Sequence, residues 1–373
     1  MSYQYITIPN EVSIDEIANN NYCLAPSKYS AFRPNPNVNF QTLSSLVTES
    51  TSKKRIVKNE KYFYSEIGDI EVSTGEVEGA EYWGINTPSE KPKIVKQNDI
   101  LLSTVRTYRG GIGFVCFNKQ NSVCSPALTI LRNISPGLTK EYLLSILRTP
   151  FFIEQILGFQ NRGMYPRLDK SAMEHILIPI PKKKELIEYI TILTKAYYEK
   201  IQLISHRHKT ILDIIHNEIN NNQKSKKFNF EYPSFNELNG NRLDATYYSE
   251  KHKSLMFPTL NYKNGYLALT EQDLELKPGP SLEIRLLGTR IDSDKFIKGF
   301  YRLVTPKQIL NNGTVKNYEY IGTPKKIPTI QYGDILFGES GTGRSMVYLD
   351  DDNNTINNAH AHILRPIKGK CTL

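Results

Sequence analysis

The sequence predicts an α+β protein in which two tandem, mostly β domains are joined by one long amphipathic helix. Three observations predict this fold class. Short strand-like segments, punctuated by Gly, Pro and Asn, fill both halves of the 373-residue chain. Between the halves, a stretch from about Lys182 to Asn222 repeats its apolar residues with a helical period. Segments of the first half then recur in the same order in the second half, which indicates a duplication.

The first half, about residues 1–180, is predicted to be one mostly β domain. A Pro- and Asn-rich start leads to a short helix at QTLSSLV, and strand-like segments follow at KYFYSEIGDIEV, KIVKQNDILLSTV, GGIGFVCF and SPALTILR. One or two helices are expected in SPGLTKEYLLSILRTPFFIEQILGF, where Thr139 or Ser135 suits an N-cap and Pro150 marks a break. The loop NRGMYPRLD and the segment AMEHILIPIP complete the domain.

Residues 181–224 are predicted to form the long helix. Pro179 and Pro181 end the preceding segment and allow a helix to start directly after them. At about 1.5 Å per residue this helix spans roughly 60 Å, enough to hold two domains apart. A core helix of one large domain is the alternative, which the similarity of the flanking halves disfavours. We expect another helix to cover the apolar stripe, which consists of Leu186, Ile190, Leu193, Tyr197, Ile201, Ile204, Ile211, Ile215 and Ile219.

The remaining residues, 225–373, are predicted to repeat the first domain. CLAPSKYS at 23–30 is matched by RLDATYYS at 242–249, NDILL at 98–102 by GDILF at 333–337, and TILR at 129–132 by HILR at 362–365. The offsets are 219, 235 and 233 residues, so order and rough spacing are preserved. Little sequence follows HILR, and we expect this second copy to be C-terminally incomplete, without the closing helix.

Composition narrows the class of protein. The formal net charge of +9 and a pI near 9.1 favour a polyanionic partner, and an AT-biased coding sequence rich in Asn and Lys codons is the alternative source for part of that excess. The four cysteines form no CxxC pair, which favours a reducing compartment. No apolar run approaches a membrane span and no signal sequence is evident, so we expect a cytoplasmic protein without membrane contact.

The sequence contains segments that resemble catalytic or metal-binding motifs, but the neighbouring residues exclude each of them. GESGTGRS, from Gly338 to Ser345, differs from a phosphate-binding P-loop by one Arg, but strand-like sequence follows it where a P-loop needs a helix. His206 and His208 point to different sides of a helix, and His360 and His362 lack a third ligand at suitable spacing. We therefore predict a non-catalytic chain with no metal site.

Basic residues interleaved with aromatic residues, Gly and Pro in loops are the remaining signal. Guanidinium groups bind guanine edges through two hydrogen bonds and Lys or Arg neutralises phosphates, so such loops suit duplex DNA. Ordinary solvated charge is the alternative for part of this set. In the first domain the predicted DNA-binding residues are Lys53, Lys54, Arg55, Arg106, Tyr108, Arg109, Arg162, Tyr165 and Arg167. In the second domain they are Arg285, Arg290, Lys325, Lys326 and Arg344.

NDILLSTVR and GDILFG, the ILIPIP segment before a long helix, and the restart at RLDATYYS together resemble the specificity (S) subunit of bacterial type I restriction-modification systems. The resemblance covers nearly the whole chain. It implies two target-recognition domains that each read half of a split DNA site, with the helix as a ruler between them. It also implies adenine methyltransferase subunits and a restriction and translocase subunit as partners, with S-adenosylmethionine, ATP and Mg expected only on those subunits.

Two other classes of function compete with this one. The chain could be the recognition portion of a methyltransferase or nuclease, but the Gly-rich cofactor loop and the Asn/Asp-Pro-Pro-Tyr/Phe tetrapeptide of an adenine methyltransferase are missing from these residues. It could also be a DNA-binding or scaffold protein of another phage-defence system. In every case the uncovered helix stripe leaves a second copy of this chain as a possible partner.

Overall fold

The computed structural model describes residues 6–7, 9–19, 22, 24, 29, 31–32, 37–159, 167–168, 170–225, 227–234, 245–270, 272–338 and 344–367. The chain divides into two compact units, Met1–Leu203 and Ile204–Leu373. The boundary lies within one long helix. In the described part of the chain, no helix is long and apolar enough to cross a membrane.

Among the described residues of the first unit, four α-helices precede the long helix: α1 Ile14–Asn19, α2 Leu43–Leu46, α3 Lys140–Leu147 and α4 Pro150–Phe159. The strands of this unit are β1 Ile6–Thr7, β2 Ala31–Phe32, β3 Asn39–Thr42, β4 Val47–Glu49, β5 Lys61–Ser65, β6 Ala80–Trp83, β7 Lys93–Ile94, β8 Ile100–Ser103, β9 Ile112–Phe114, β10 Ser122–Cys124, β11 Leu128–Ile134 and β12 Leu177–Ile180. Thr139 caps α3 by accepting a hydrogen bond from the Tyr142 amide at 3.1 Å, and Pro150 is the first residue of α4.

Two four-stranded sheets form the body of the first unit. One has the order β6-β5-β10-β7, with β5 and β10 parallel, and the other is the antiparallel sheet β4-β11-β8-β9. Strand β8 is buried on both faces, which explains its unbroken apolar sequence. Ile100 and Leu102 pack with helices α2 to α4, whereas Leu101 packs with Val115 and Ile130.

Helix α5 spans Lys184–Asn221, about 57 Å at 1.5 Å per residue. Its N-terminal half packs against the first unit through Ile187, Thr191 and Tyr198, which are all buried. The Tyr198 ring lies 5.2 Å from the Phe114 ring, and its hydroxyl donates a hydrogen bond to the Thr74 carbonyl at 3.2 Å. This burial raises the pKa of Tyr198 far above its usual range. The packed face is thus adjacent to the predicted apolar stripe and distinct from it.

The second unit contains helices α6 Glu250–Leu260 and α7 Ile284–Leu287. Its strands are β13 Leu274–Lys277, β14 Ile291–Ser293, β15 Tyr301–Val304, β16 Glu319–Gly322, β17 Ile335–Gly338, β18 Ser345–Val347, β19 Thr355–Asn357 and β20 Ala361–Pro366. They form the sheets β13-β20-β17-β18 and β14-β16-β15-β19, with β15 and β19 parallel.

Strand order confirms the duplication. The sheet β13-β20-β17-β18 matches β4-β11-β8-β9, and β16-β15-β19 matches β6-β5-β10, including the one parallel pair in each. Two of the sequence matches lie at equivalent strands: NDILL and GDILF overlap β8 and β17, and TILR and HILR lie in β11 and β20. The third match, CLAPSKYS with RLDATYYS, lies largely outside the described residues.

The matched motifs also supply a buried ion pair in each unit. Arg132 donates two hydrogen bonds to Asp99, at 2.9 and 2.7 Å, and Arg365 donates two to Asp334, at 2.7 and 2.6 Å. Both carboxylates are almost completely buried, and each raises the pKa of its arginine. The same Asp–Arg pair therefore ties two strands of the same sheet together in both copies.

Candidate nucleic-acid interface

The loop between β8 and β9 holds Arg106, Tyr108 and Arg109 in a defined conformation. Arg106 has φ 50° and ψ 41°, in the left-handed region that a non-Gly residue seldom occupies. The Thr107 hydroxyl is buried and donates a hydrogen bond to the Ser103 carbonyl at 2.6 Å, which anchors the loop to the end of β8. Arg109 is exposed, and its guanidinium lies 5.9 Å from the Tyr108 ring centroid. Such a backbone conformation occurs preferentially at functional sites.

The structure brings the second predicted basic loop of the first unit to the same place. Val105 and Arg167 form an antiparallel bridge, and the Leu168 amide donates a hydrogen bond to the Thr104 carbonyl at 2.8 Å. Arg167 is exposed beside the β8–β9 loop. Arg162 and Tyr165 lie outside the described residues.

Lys53, Lys54 and Arg55 lie in an extended segment beside strand β7. Lys53 forms an antiparallel bridge with Lys93, and the Lys54 amide donates a hydrogen bond to the Pro92 carbonyl at 2.9 Å. Lys53 and Arg55 are exposed, and Lys54 is half-buried at the edge of a concave surface. These three cations are presented on a paired backbone, not on a free loop.

The predicted basic residues of the second unit are engaged to differing extents. Arg290 donates two hydrogen bonds to Asp292, at 2.7 and 2.8 Å, and one to the Leu282 carbonyl. Arg285 is paired with Glu283, and Lys325 donates a hydrogen bond to the Leu286 carbonyl at 3.1 Å. Arg290 is therefore held mainly as a structural residue. Lys326 is exposed, and Arg344 is half-buried just before β18.

Sequence reasoning missed a group of basic and aromatic residues on the outer face of the sheet β6-β5-β10-β7. Lys61 lies over the Trp83 ring at 5.1 Å, and Lys119 lies over the Phe63 ring at 4.9 Å. Phe63 in turn packs edge-on against Phe117, with ring centroids 4.8 Å apart. We call Lys61, Phe63, Trp83, Phe117 and Lys119 the outer strip. The alternation of KYFYS was visible in the sequence, but the neighbourhood of Lys119 depends on the fold.

The predicted stripe of α5 is largely uncovered within the described residues. Six of its residues are between 43% and 56% exposed: Leu186, Leu193, Tyr197, Ile204, Ile211 and Ile215. Ile190, Ile201 and Ile219 are half-buried. Tyr189, Ile192, Leu203 and Ile214 widen the exposed apolar face. A face of this extent is typical of a helix that packs against another helix or a partner protein.

Within the described ranges, no group of three His, Cys, Asp or Glu residues could hold a metal ion. The segment that resembles a P-loop, Gly338–Ser345, ends at the first residue of strand β18, as its sequence context predicts. In the described residues a strand therefore stands where a P-loop needs a helix.

Comparison with known proteins identifies a family. The family model described as "Type I restriction modification DNA specificity domain" matches residues 10–213, more than half of the chain. No curated protein matches the chain. Among solved structures, the HsdS subunit from Thermoanaerobacter tengcongensis is 15% identical with a TM-score of 0.37, over 90% of this chain and 77% of that one. The S subunit of the type I restriction-modification system from M. genitalium is 14% identical with a TM-score of 0.40, over 91% of this chain and 75% of that one. A chain from a study of assembly and conformational transition of the type I R-M system is 16% identical with a TM-score of 0.38, over 91% and 77%.

Proposed function

The chain belongs to the type I restriction-modification DNA specificity family, and from that premise we propose that it is the non-catalytic subunit that reads a split DNA site. Each unit recognises the bases of one half-site in duplex DNA. Methylation of adenine and cleavage are carried out by partner subunits, which bind S-adenosylmethionine, ATP and Mg.

The duplication is the observation that carries this proposal. Two copies of one two-sheet fold are joined by a single helix, and segments whose sequence contains basic residues follow the equivalent strands β8 and β17. A chain with two related reading surfaces suits a site with two halves, and the helix sets the gap between them. If docking uses both ends of the 38-residue helix, the rod leaves roughly one helical turn of B-DNA, about 34 Å, between half-sites.

The basic residues divide into two roles under this proposal. Arg106, Arg109 and Arg167 lie together around one loop and suit contacts with base edges, because a guanidinium group can donate two hydrogen bonds to guanine. Lys53 and Lys54 lie on an extended segment that is hydrogen-bonded beside β7, and they suit phosphate contacts, which carry no base information.

The exposed stripe of α5 suits a helical partner. Full burial of a large apolar side chain contributes about 1.5 to 3 kcal/mol, and each of the nine stripe residues is already about half-buried, so covering the remainder is worth on the order of 10 kcal/mol. We assign this face to pairing with a second copy of the chain in isolation, and to helices of the methyltransferase subunit in the complex.

Binding of the purified chain to duplex DNA as salt is increased tests the proposal. If six or so phosphates are neutralised, log K plotted against log salt has a slope near −5. Binding is expected to be weak for the chain alone and tighter with the methyltransferase. A salt-independent interaction points to a protein ligand and to the scaffold alternative. Methyl transfer from S-adenosylmethionine by the chain alone would contradict the non-catalytic assignment.

A further inference from the structure

We propose that the outer strip of the first unit is a second DNA contact, which binds phosphates beside the bases read by the β8–β9 loop and has no counterpart in the second unit. This inference rests on the proposed DNA-recognition function. It adds a surface that sequence reasoning did not identify and predicts that the two copies hold DNA unequally.

The outer strip borders two adjoining concave surfaces of about 460 and 550 Å³. Four lysines line them, Lys54, Lys61, Lys96 and Lys119, against two glutamates, Glu60 and Glu81. Glu60 accepts a hydrogen bond from the Tyr62 hydroxyl at 2.8 Å, and Glu81 lies 4.0 Å from Lys61. Among the described residues, no carboxylate lies within ion-pair distance of Lys54, Lys96 or Lys119. The surface thus carries uncompensated positive charge.

The aromatic rings of the outer strip fix where that charge is presented. Lys61 and Phe63 alternate along β5 with Tyr62 and Tyr64, which are buried, so the first two side chains share the outward face. The rings of Trp83 and Phe63 lie beneath the ammonium groups of Lys61 and Lys119, a placement that reduces the conformational freedom of long side chains. Because an ammonium group lies over each of these two rings, we assign the surface to phosphate binding and not to stacking of bases on the rings.

A line of contacts connects the outer strip to the reading loop. Thr104 and Arg167 line a concavity of about 200 Å³ together with Lys93. Lys93 is bridged to Lys53, and the next residue, Lys54, lines both concavities at the outer strip. The reading loop and the outer strip are therefore connected within the first unit through Lys93, Lys53 and Lys54.

The second unit has the opposite charge at the equivalent position. The segments after β9 and β18 have equal length, 115–121 and 348–354, and both end in an Asn that donates an equivalent hydrogen bond. Asn121 donates to the Lys61 carbonyl at 3.2 Å, and Asn354 donates to the Phe300 carbonyl at 2.7 Å. This correspondence aligns Lys119 with Asp352.

The partners of these two residues also correspond. The backbone amides of Phe63 and Arg302 both donate to the carbonyl of that Asn, at 3.3 and 2.9 Å, so Phe63 aligns with Arg302. Where the first unit places Lys119 over Phe63, the second pairs Arg302 with Asp352 and Asp350. The second copy neutralises its own cation and exposes carboxylates that repel phosphate. The first copy leaves its cation available.

The test compares two double variants of the full chain in binding to a duplex of about 30 base pairs, followed by fluorescence anisotropy between 50 and 200 mM salt. Lys61→Ala with Lys119→Ala removes two cations from the outer strip. Lys298→Ala with Lys307→Ala removes two exposed cations from the second unit and serves as the matched control. Loss of two phosphate contacts makes the slope of log K against log salt shallower by about 1.8, and the control leaves it unchanged. Trp83 is the sole tryptophan of the chain, so its emission reports on the outer strip. As DNA is added, we expect this emission to change with the same midpoint as the anisotropy.

Four outcomes overturn the inference, and they are distinguishable. If wild type and outer-strip variant have equal slopes of log K against log salt, and DNA does not change the Trp83 emission of the wild type, the DNA binds elsewhere on the chain. The proposed function is then unaffected. If both double variants change the slope equally, the effect comes from the lower net charge of the chain and not from the outer strip. A wild-type chain that binds no duplex at 50 mM salt contradicts the outer-strip contact and the proposed function together. If the outer-strip variant instead loses a methyltransferase partner in co-purification at an unchanged slope, the surface binds protein.

Discussion

The two copies of the duplicated fold agree in their sheets and differ in the charge of their surfaces. Both have the same strand order, the same parallel pair, and the same buried Asp–Arg pair. At equivalent surface positions, Lys119 in one copy corresponds to Asp352 in the other. Residues that hold the sheets together are shared because the fold requires them, whereas the surface is free to differ. A subunit that reads two different half-sites needs this division.

The shared ion pair gives the largest expected effect. Asp99→Ala leaves Arg132 largely buried without its carboxylate, and removing one partner of a buried pair costs about 3 to 5 kcal/mol. Asp334→Ala does the same to Arg365 in the second unit. Because Trp83 is the sole tryptophan and lies in the first unit, urea unfolding followed by its emission should shift for the first variant and not for the second. Circular dichroism should detect the lower stability of the Asp334→Ala variant. Equal shifts of Trp83 emission would mean that the copies unfold as one cooperative unit.

The helix that joins the copies can be tested on its exposed face. Ile204→Glu places a charge in the middle of the stripe, where Ile204 is 43% exposed. If two chains pair there, burying that carboxylate and losing the isoleucine contacts costs about 2 to 4 kcal/mol per chain, and the pair dissociates. Light scattering across protein concentration measures this. Lys200→Glu, a change of charge on the same helix, is a control for general solubility effects. A wild-type chain that is monomeric and well folded contradicts the pairing.

Substitutions in the reading loops should have a smaller effect, and each should change the base preference at one half-site only. Arg106→Ala or Arg109→Ala is expected to relax the sequence of one half-site by about 1 to 3 kcal/mol of discrimination, and Arg344→Ala to relax the other. Lys53→Ala should weaken binding to all sequences evenly, because a phosphate contact carries no base information. Selection from a pool of random duplexes reports both effects. Changes in both half-sites from Arg106→Ala alone would refute the assignment of one half-site to each copy.

Much of the fold follows from local sequence patterns, and the limits have physical causes. The α5 period, the N-cap at Thr139 and the strands within NDILL and GDILF are local features that do not depend on distant partners. The packed face of α5 was not predicted. Thr191 and Tyr198 lie beside the stripe and are buried only because Thr139 and Phe114 meet them from distant segments. A hydrophobic stripe identifies an amphipathic helix without saying which edge packs first.

The candidate DNA-binding residues depend even more on contacts between distant segments, which the sequence does not reveal. The cluster around Arg106 and Arg167 was predicted as two separate loops, and only the bridge between Val105 and Arg167 joins them. Lys119 carries no motif, because its significance comes from Phe63, 56 positions earlier in the chain, and from Lys54. Arg290 looked equivalent to the other basic residues, yet Asp292, two positions later, engages it. Charge in a sequence shows how many cations are present, and the fold decides which remain available.

The most direct measurement is the sequence of methylated sites in cells that carry this chain with its cognate methyltransferase, with and without residues 209–215. This segment of α5 is chosen because it lies between Gln202, which donates a hydrogen bond to the Cys116 carbonyl of the first unit, and Glu218, which accepts one from the Tyr262 hydroxyl of the second. Removing seven residues shortens the helix by about 10.5 Å, or roughly three base pairs, and rotates it by only about 20°. We predict that both half-sites keep their bases while the gap between them shortens. Loss of base identity in either half-site, or an unchanged gap, would contradict the account of two reading units held apart by one helix.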